Sequence, residues 1–360
     1  MRLLDSSGIR KVFDMAAAMK RPIDFSIGQP HFDVPDYVKT AAISAIRRGR
    51  NRYTVTQGIP SLRAAIQRML KKSRGIEPEG LIVTSGVTGG LFLALQVLVN
   101  PGDEVIFADP YFVMYKHITN LCGGVPVCVD TYPDFTLTAA RLAKHITPKT
   151  RMVLLNSPSN PTGRIIPAPE LKRIAALCRK HKLLVISDEI YDCFAYEQEA
   201  HSIASIYPNT LLLGGFSKSH ALTGWRVGYA AGPKEITGEM AKLQQYSFVC
   251  APSFAQEAAA AALGRKFHNF AADYRRKRDL VYKALVDAGY DVVKPDGAFY
   301  FFPRCPWGTD QEFVAEAIRR ELLIIPGSVF SERNTQFRMA YAASDSTIAR
   351  GLKVLRGLAK

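Results

Sequence analysis

Four short segments of this 360-residue chain place reactive side chains directly after apolar runs. Together they offer an anion site, an acid and an amine. Leu81-Ile82-Val83-Thr84 runs into Ser85-Gly86-Val87-Thr88-Gly89-Gly90 and then into a helical pattern. Small residues opening a helix leave N–H groups free, and the helix dipole favours a phosphate there. The spacing matches neither the dinucleotide fingerprint nor the P-loop. Arg151–Leu155 leads into Asn156-Ser157-Pro158-Ser159-Asn160-Pro161-Thr162-Gly163. Leu183–Ser187 leads into Asp188-Glu189-Ile190-Tyr191, and Leu211–Leu213 into Gly214-Gly215-Phe216-Ser217-Lys218. Each segment also has a plain reading. Glycine between strand and helix is common, and Pro and Gly make ordinary turns. An acid at a strand end can be a helix cap, and a lysine can be a surface charge.

These segments need a scaffold, and the chain supplies a regular one. The apolar runs above, with Glu104–Phe107, Val125–Val129 and Arg226–Ala231, read as seven strands. Helical patterns at Leu91–Val99 and Glu170–Lys180 lie between them. This spacing implies an α/β fold with a mostly parallel central sheet and helices on both faces. Ligands of such sheets bind beyond the carboxyl ends of the strands, where the four segments lie. After Pro252 the pattern changes. An alanine-rich stretch, Ser253–Leu263, leads through Tyr274–Leu285 to Gly289. Ala298–Phe302, a helix near Glu312–Glu321, Leu323–Ile325, Phe337–Tyr341 and a last helix then suggest a smaller α+β domain. With no Gly/Ser/Pro linker between the parts, a long helix is expected to bridge them. The expected division is 1–37 as an N-terminal segment contributing to the small domain, 38–265 as the large domain and 266–360 as the small C-terminal domain.

Taken in order, Asn160-Pro161-Thr162-Gly163, Asp188 with Tyr191, Ser217-Lys218 with Gly224-Trp225-Arg226, and Phe337-Arg338 resemble the class I/II aminotransferases of pyridoxal-phosphate (PLP) fold type I, the aspartate aminotransferase-like group. The resemblance runs from Ile27-Gly28-Gln29-Pro30 to Phe337-Arg338-Met339-Ala340-Tyr341. It implies a large PLP-binding domain and PLP as cofactor, with an L-amino acid and a 2-oxo acid as substrates. Lys218 would form the imine with PLP, because a substrate amine can displace a lysine Schiff base. Its released amine would move the α-proton. Asp188 would pair with the pyridine nitrogen and favour its protonated, electron-accepting form. Tyr191, three positions later, would share that ring if a helical turn starts here, and with Asn160 it would hydrogen-bond the phenolic oxygen. The Gly86-Val87-Thr88 turn, Ser217 and Arg226 would hold the phosphate, the guanidinium through paired, charge-assisted bonds. Tyr53 resembles the tyrosine that reaches the phosphate from a partner subunit, which implies a homodimer. Phe112 matches the aromatic that stacks on the ring, with a core aromatic as the alternative. Arg338 would hold the substrate α-carboxylate, orienting the α-hydrogen for removal. Gly28 resembles the backbone position that approaches the same carboxylate.

Two departures stand out. Many relatives carry serine three residues before the lysine, and here that position is Gly215, so Ser217 is expected to cover part of the loss. Some members favouring dicarboxylic substrates carry a lysine at the position of Thr88, and its absence argues against strict aspartate specificity. The same lysine, acid and phosphate site also serve carbon–sulfur β-elimination and decarboxylation, which stay open as alternatives.

Composition narrows the rest. At 48% hydrophobic and 22% charged, the chain has material for a large core. No apolar run approaches the ~20 residues of a membrane span, and Met1–Asp5 does not read as a signal peptide. Cys122, Cys128, Cys178, Cys193, Cys250 and Cys305 show no zinc-ligand spacing, so free thiols, a reducing cytoplasmic setting and no metal are expected. The net charge of +15 brings no nucleic-acid motif or interleaved aromatics. The basic runs at Arg47–Arg52, at Lys71-Lys72 with Arg74 and at Arg275–Arg278 are therefore read as solvated surface, with no nucleic-acid or membrane partner.

Overall fold

A computed structural model of the protein describes Met19, residues 22–264 and residues 270–360. The expected boundary between 265 and 266, and Met1–Asp5, lie outside the described residues.

The central sheet has seven strands: β2 (Gly80–Thr84), β3 (Glu104–Asp109), β4 (Val125–Asp130), β5 (Thr150–Asn156), β6 (Leu184–Asp188), β7 (Thr210–Gly215) and β8 (Gly228–Gly232). Their order is β2-β8-β7-β6-β5-β3-β4. All pairings are parallel except those of β8, which runs antiparallel to β2 and β7. Side chains alternate between faces along each strand. Val105 and Phe107 pack with Met152, Leu154, Leu184 and Ile186 on one side, against the helices Gly86–Leu98 and Lys234–Gln245. Ile106, Val153, Leu155 and Val185 pack on the other, against the helix Ala168–Lys180. Because both faces are covered, the strands read as unbroken apolar runs.

A smaller set of strands stands beside this sheet. β1 (Ile23–Asp24) pairs in parallel with β10 (Leu322–Leu323). β12 (Phe337–Ala340) lies between β11 (Ile325–Pro326) and β9 (Tyr300–Phe301), antiparallel to both. Phe299, Phe301, Phe337 and Tyr341 form its core with Tyr274, Val281 and Leu285 of the helix Ala271–Asp287. Ile190, Tyr191 and Phe194 join the same core, so the segment leaving β6 ties the two parts together.

Four expectations need correction. The run Arg226–Ala231 becomes strand only at Gly228, because Arg226 takes a left-handed φ of 56°. Asp188–Tyr191 opens no helix; it leaves the strand in a turn with Asp192 N–H donating to Glu189 O at 3.1 Å. The bridging helix is two described helices on different cores: Ser253–Leu263 packs with Leu62 and Ile66, and Ala271–Asp287 packs with the small sheet. Finally, the basic runs are only partly solvated surface. Arg74 is largely covered, pairing with Glu189 and Asp192. Lys277 and Arg278 are buried in ion pairs, Lys277 with Asp273 at 2.9 Å and Arg278 with Glu197 and Asp279 at 2.5 and 2.7 Å.

Among the described residues, no helix is long and apolar enough to cross a membrane. All six cysteines are free thiols.

Candidate active site

The parallel strands β5, β6 and β7 end at one edge of the sheet, so Asn156, Asp188 and Gly215 emerge side by side. Since β8 runs the other way, its start lies at that same edge, and Arg226 reaches the residues that follow β7. The helix Gly86–Leu98 begins there too. The result is a cavity of about 240 Å³. Gly28, Val87, Thr88, Phe112, Asn160, Asp188, Tyr191, Ser217, Lys218, Arg226 and Arg338 all line it.

Two expected residues do not line it. Gly86 sits just behind the wall, at φ 71°, where an added Cβ would lie 2.6 Å from the Arg226 guanidinium. Only glycine allows that close approach. Tyr53 is 83% exposed and is not brought to the cavity of its own chain.

The lysine and the acid face one shared cavity. Lys218 Nζ donates to the Gly28 carbonyl at 2.5 Å. Burial lowers its pKa to about 8, assisted by the positive charges of Arg338 and Arg226 and opposed by Asp188. Burial raises Asp188 to about 6. Three contacts restrain that rise: the Tyr115 hydroxyl donating to Oδ2 at 2.8 Å, the Ile190 N–H donating to Oδ1 at 3.3 Å, and the charge of Lys218.

At the other side, Arg338 extends from β12 and is 1% exposed. Its Nη1 donates to Asn160 Oδ1 at 3.2 Å and its Nη2 to the Ser26 carbonyl. Its Nε is buried without a partner. The guanidinium carbon lies 4.8 Å from the Tyr300 ring centre and 4.5 Å from that of Phe330. A buried cation with an unused donor is costly unless an anion completes it. Tyr191 and Tyr300 share a hydroxyl–hydroxyl bond of 2.7 Å.

Tyr115, Asn156, Ile190, Thr223 and Tyr300 also line the cavity, and sequence reading gave none of them a role. Tyr115 follows Phe112 by three residues, so one helical turn sets both beside the site, as their edge-on ring packing at 5.6 Å shows. That spacing was the available signal. Tyr300 lies in an apolar strand and carried none.

Position 215 explains its own departure. Gly215 pairs with Gly228, and an added Cβ would lie 3.1 Å from the Gly228 Cα and 3.2 Å from the Val227 carbonyl. A serine there would press on the backbone of β8.

The donor set suits a phosphorylated carbonyl cofactor. A half-buried amine, a buried carboxylate, a guanidinium beside a helix N-terminus and a second, incompletely bonded guanidinium share one cavity.

Comparison with known proteins agrees with this geometry. The family described as "Aminotransferase class I and II" matches residues 20–355. Aspartate aminotransferase of Pyrococcus abyssi is 38% identical, over 98% of this chain and 97% of its own. The probable N-acetyl-LL-diaminopimelate aminotransferase of Bacillus subtilis is also 38% identical, over 98% and 92%. The structure of Thermus thermophilus aspartate aminotransferase with maleate superposes with a TM-score of 0.95 at 32% identity, covering 99% of this chain and 98% of that one. The chain belongs to the class I and II aminotransferases, a family of PLP-dependent enzymes.

Proposed function

We propose that this aminotransferase holds PLP in the cavity between β6, β7 and β12, with Lys218 as its covalent anchor, and exchanges amino groups between an L-amino acid and a 2-oxo acid there. The observation that carries the reading is the sharing of one buried cavity by Lys218 and Asp188 between two guanidinium groups. When bound, PLP supplies an electron-accepting ring conjugated to the substrate nitrogen. The protein's own side chains do the rest. Arg226 and the N–H groups opening the helix Gly86–Leu98 bind the phosphate, with Ser217 and Thr88 beside them. Asp188 holds a proton at the pyridine nitrogen. Tyr191 and Asn160 would hydrogen-bond the phenolic oxygen, and Phe112 and Ile190 line the cavity where they would cover the ring. Arg338 takes the substrate carboxylate with its guanidinium, and Gly28 lets the chain pass close by: a Cβ there would fall on the Tyr300 hydroxyl. Lys218 Nζ, once released, carries the proton from the α-carbon. An amine whose pKa is lowered toward neutrality suits that task, since a base works best with its pKa near the working pH.

The half-reaction tests this. Enzyme loaded with PLP and given an amino acid without oxo acid is expected to release one 2-oxo acid per site and retain pyridoxamine phosphate. Release of ammonia with PLP regenerated would instead indicate β-elimination, and release of carbon dioxide decarboxylation.

We also propose a homodimer in which Tyr53 serves the partner's phosphate site. A second, mostly apolar cleft supports this, for it opens onto Thr88 and Arg226 and is edged by Leu121 and Phe248, which are 50% and 40% exposed. Tyr53→Ala is expected to weaken PLP binding about 10-fold or more, the worth of a hydrogen bond to a charged group. Mixing it with Lys218→Ala should restore tight binding, because the hybrid joins an intact Lys218 to an intact Tyr53. No gain on mixing would place Tyr53 elsewhere.

A further inference from the structure

Asp188 is the last residue of β6, and Tyr191 lies in the short turn that leaves it; both line the cavity. Something must hold that turn. On the cavity side Tyr191 bonds Tyr300 and packs in the small core. The residues between and after them, Glu189 and Asp192, both pair with the same side chain, Arg74, which does not line the cavity.

Arg74 is the last residue of the helix Pro60–Arg74, just before a left-handed Gly75. Its Nη1 donates to Glu189 Oε2 and its Nη2 to Asp192 Oδ2. The guanidinium therefore spans the turn like a staple, one nitrogen on each leg. Its side chain is 12% exposed and that of Glu189 4%. The other Glu189 oxygen accepts from Ser187 Oγ at 2.7 Å and Ser202 Oγ at 2.6 Å, so this carboxylate is fully engaged. Glu189 and Asp192 repel one another, and Arg74 offsets both charges. The helix bearing Arg74 packs through Leu62, Ile66 and Leu70 beside the helix Ser253–Leu263, and none of its residues lines the cavity.

We infer that Arg74 is a positioning residue for transamination, fixing Asp188 and Tyr191 against the cofactor ring by clamping Glu189 and Asp192 from behind. This rests on the roles proposed above for Asp188 and Tyr191. The planar fork suits the task because two separate donors leave it at fixed angles; a lysine has one nitrogen and can hold one leg only.

The test uses PLP-loaded enzyme with Arg74→Met, Arg74→Lys and Asp192→Asn. The last keeps the buried Arg74–Glu189 pair, so it folds even if Arg74→Met does not. For Arg74→Met, kcat is expected to fall 10-fold or more with KM changed less than twofold, because the substrate carboxylate is held elsewhere, by Arg338. Arg74→Lys should recover part of the loss, and Asp192→Asn should lower kcat about threefold at unchanged KM. A lowered Tm with kcat within twofold of the parent in both Arg74→Lys and Asp192→Asn would overturn the inference and leave Arg74 a structural residue. Asp188→Asn is the companion measurement. If it too keeps normal kcat, the role assigned to Asp188 fails. If it is crippled while the clamp variants are not, only the clamp fails.

Discussion

Lys218→Ala is expected to remove borohydride-fixable attachment of PLP and to lower transamination by about 10³-fold or more. On the proposed roles the loss would combine a nucleophile with a general base, and a positioned base alone contributes about 10²–10⁴. PLP should still bind without a covalent link, because Arg226 and the start of the helix Gly86–Leu98 are untouched. Mass spectrometry of the reduced protein checks the first part, and single-turnover kinetics the second. A reduced adduct persisting in the variant would move the anchor to another lysine. The parent enzyme offers a signature of its own. Only a neutral amine attacks a carbonyl, and the Lys218 amine, lowered to about 8, becomes neutral well below the range of an exposed lysine. Attachment of PLP to the apoenzyme should therefore quicken about tenfold per unit of pH below about 8 and level off above it. A rise continuing to pH 10 would mean that the amine is not held among Arg226, Arg338 and low-dielectric walls as described.

That lysine was legible in sequence for a reason that extends to much of the site. Strands buried on both faces announce themselves as apolar runs, and in a parallel sheet their ends converge on one edge. Lys218, Asp188, Asn160 and the Gly86–Thr88 turn each follow such a run directly, so finding the strand found the residue. Arg226 precedes a strand, and it belongs with the others only because β8 runs antiparallel, which no local pattern announces. The same limit hid the rest. Tyr115 and Tyr300 look like core aromatics, and their functional atoms are hydroxyls whose partners, Asp188 and Tyr191, are 73 and 109 residues away in the chain. Arg74 sits in a basic run with Lys71 and Lys72, which are exposed as expected. What sets it apart is a pair of carboxylates 115 and 118 residues later. Local periodicity reports burial and direction. It does not report which distant carboxylate a charge will meet.

Asp188→Asn is expected to retain PLP and lose about 10²–10³-fold in turnover, the range found when one preorganised electrostatic partner of a transition state is removed. Asparagine keeps the shape and can still accept from the Tyr115 hydroxyl, so folding and packing around β6 should be preserved. What disappears is the negative charge proposed to hold a proton at the ring nitrogen. The pH dependence separates this role from a structural one. Burial holds the Asp188 carboxyl at about 6, above its usual range. A raised carboxyl loses its charge as pH falls through that value, so the apoenzyme site is anionic above about 6 and neutral below it. A protonated ring nitrogen beside the carboxylate favours the charged form and moves the midpoint down. Turnover of the parent should therefore show an acid limb at or below pH 6, and that limb should be missing in Asp188→Asn, whose amide does not titrate. Near-normal turnover in the variant would remove the acid from the mechanism. An acid limb that persists unchanged would assign it to a different group, and the raised carboxyl would then be a consequence of burial alone.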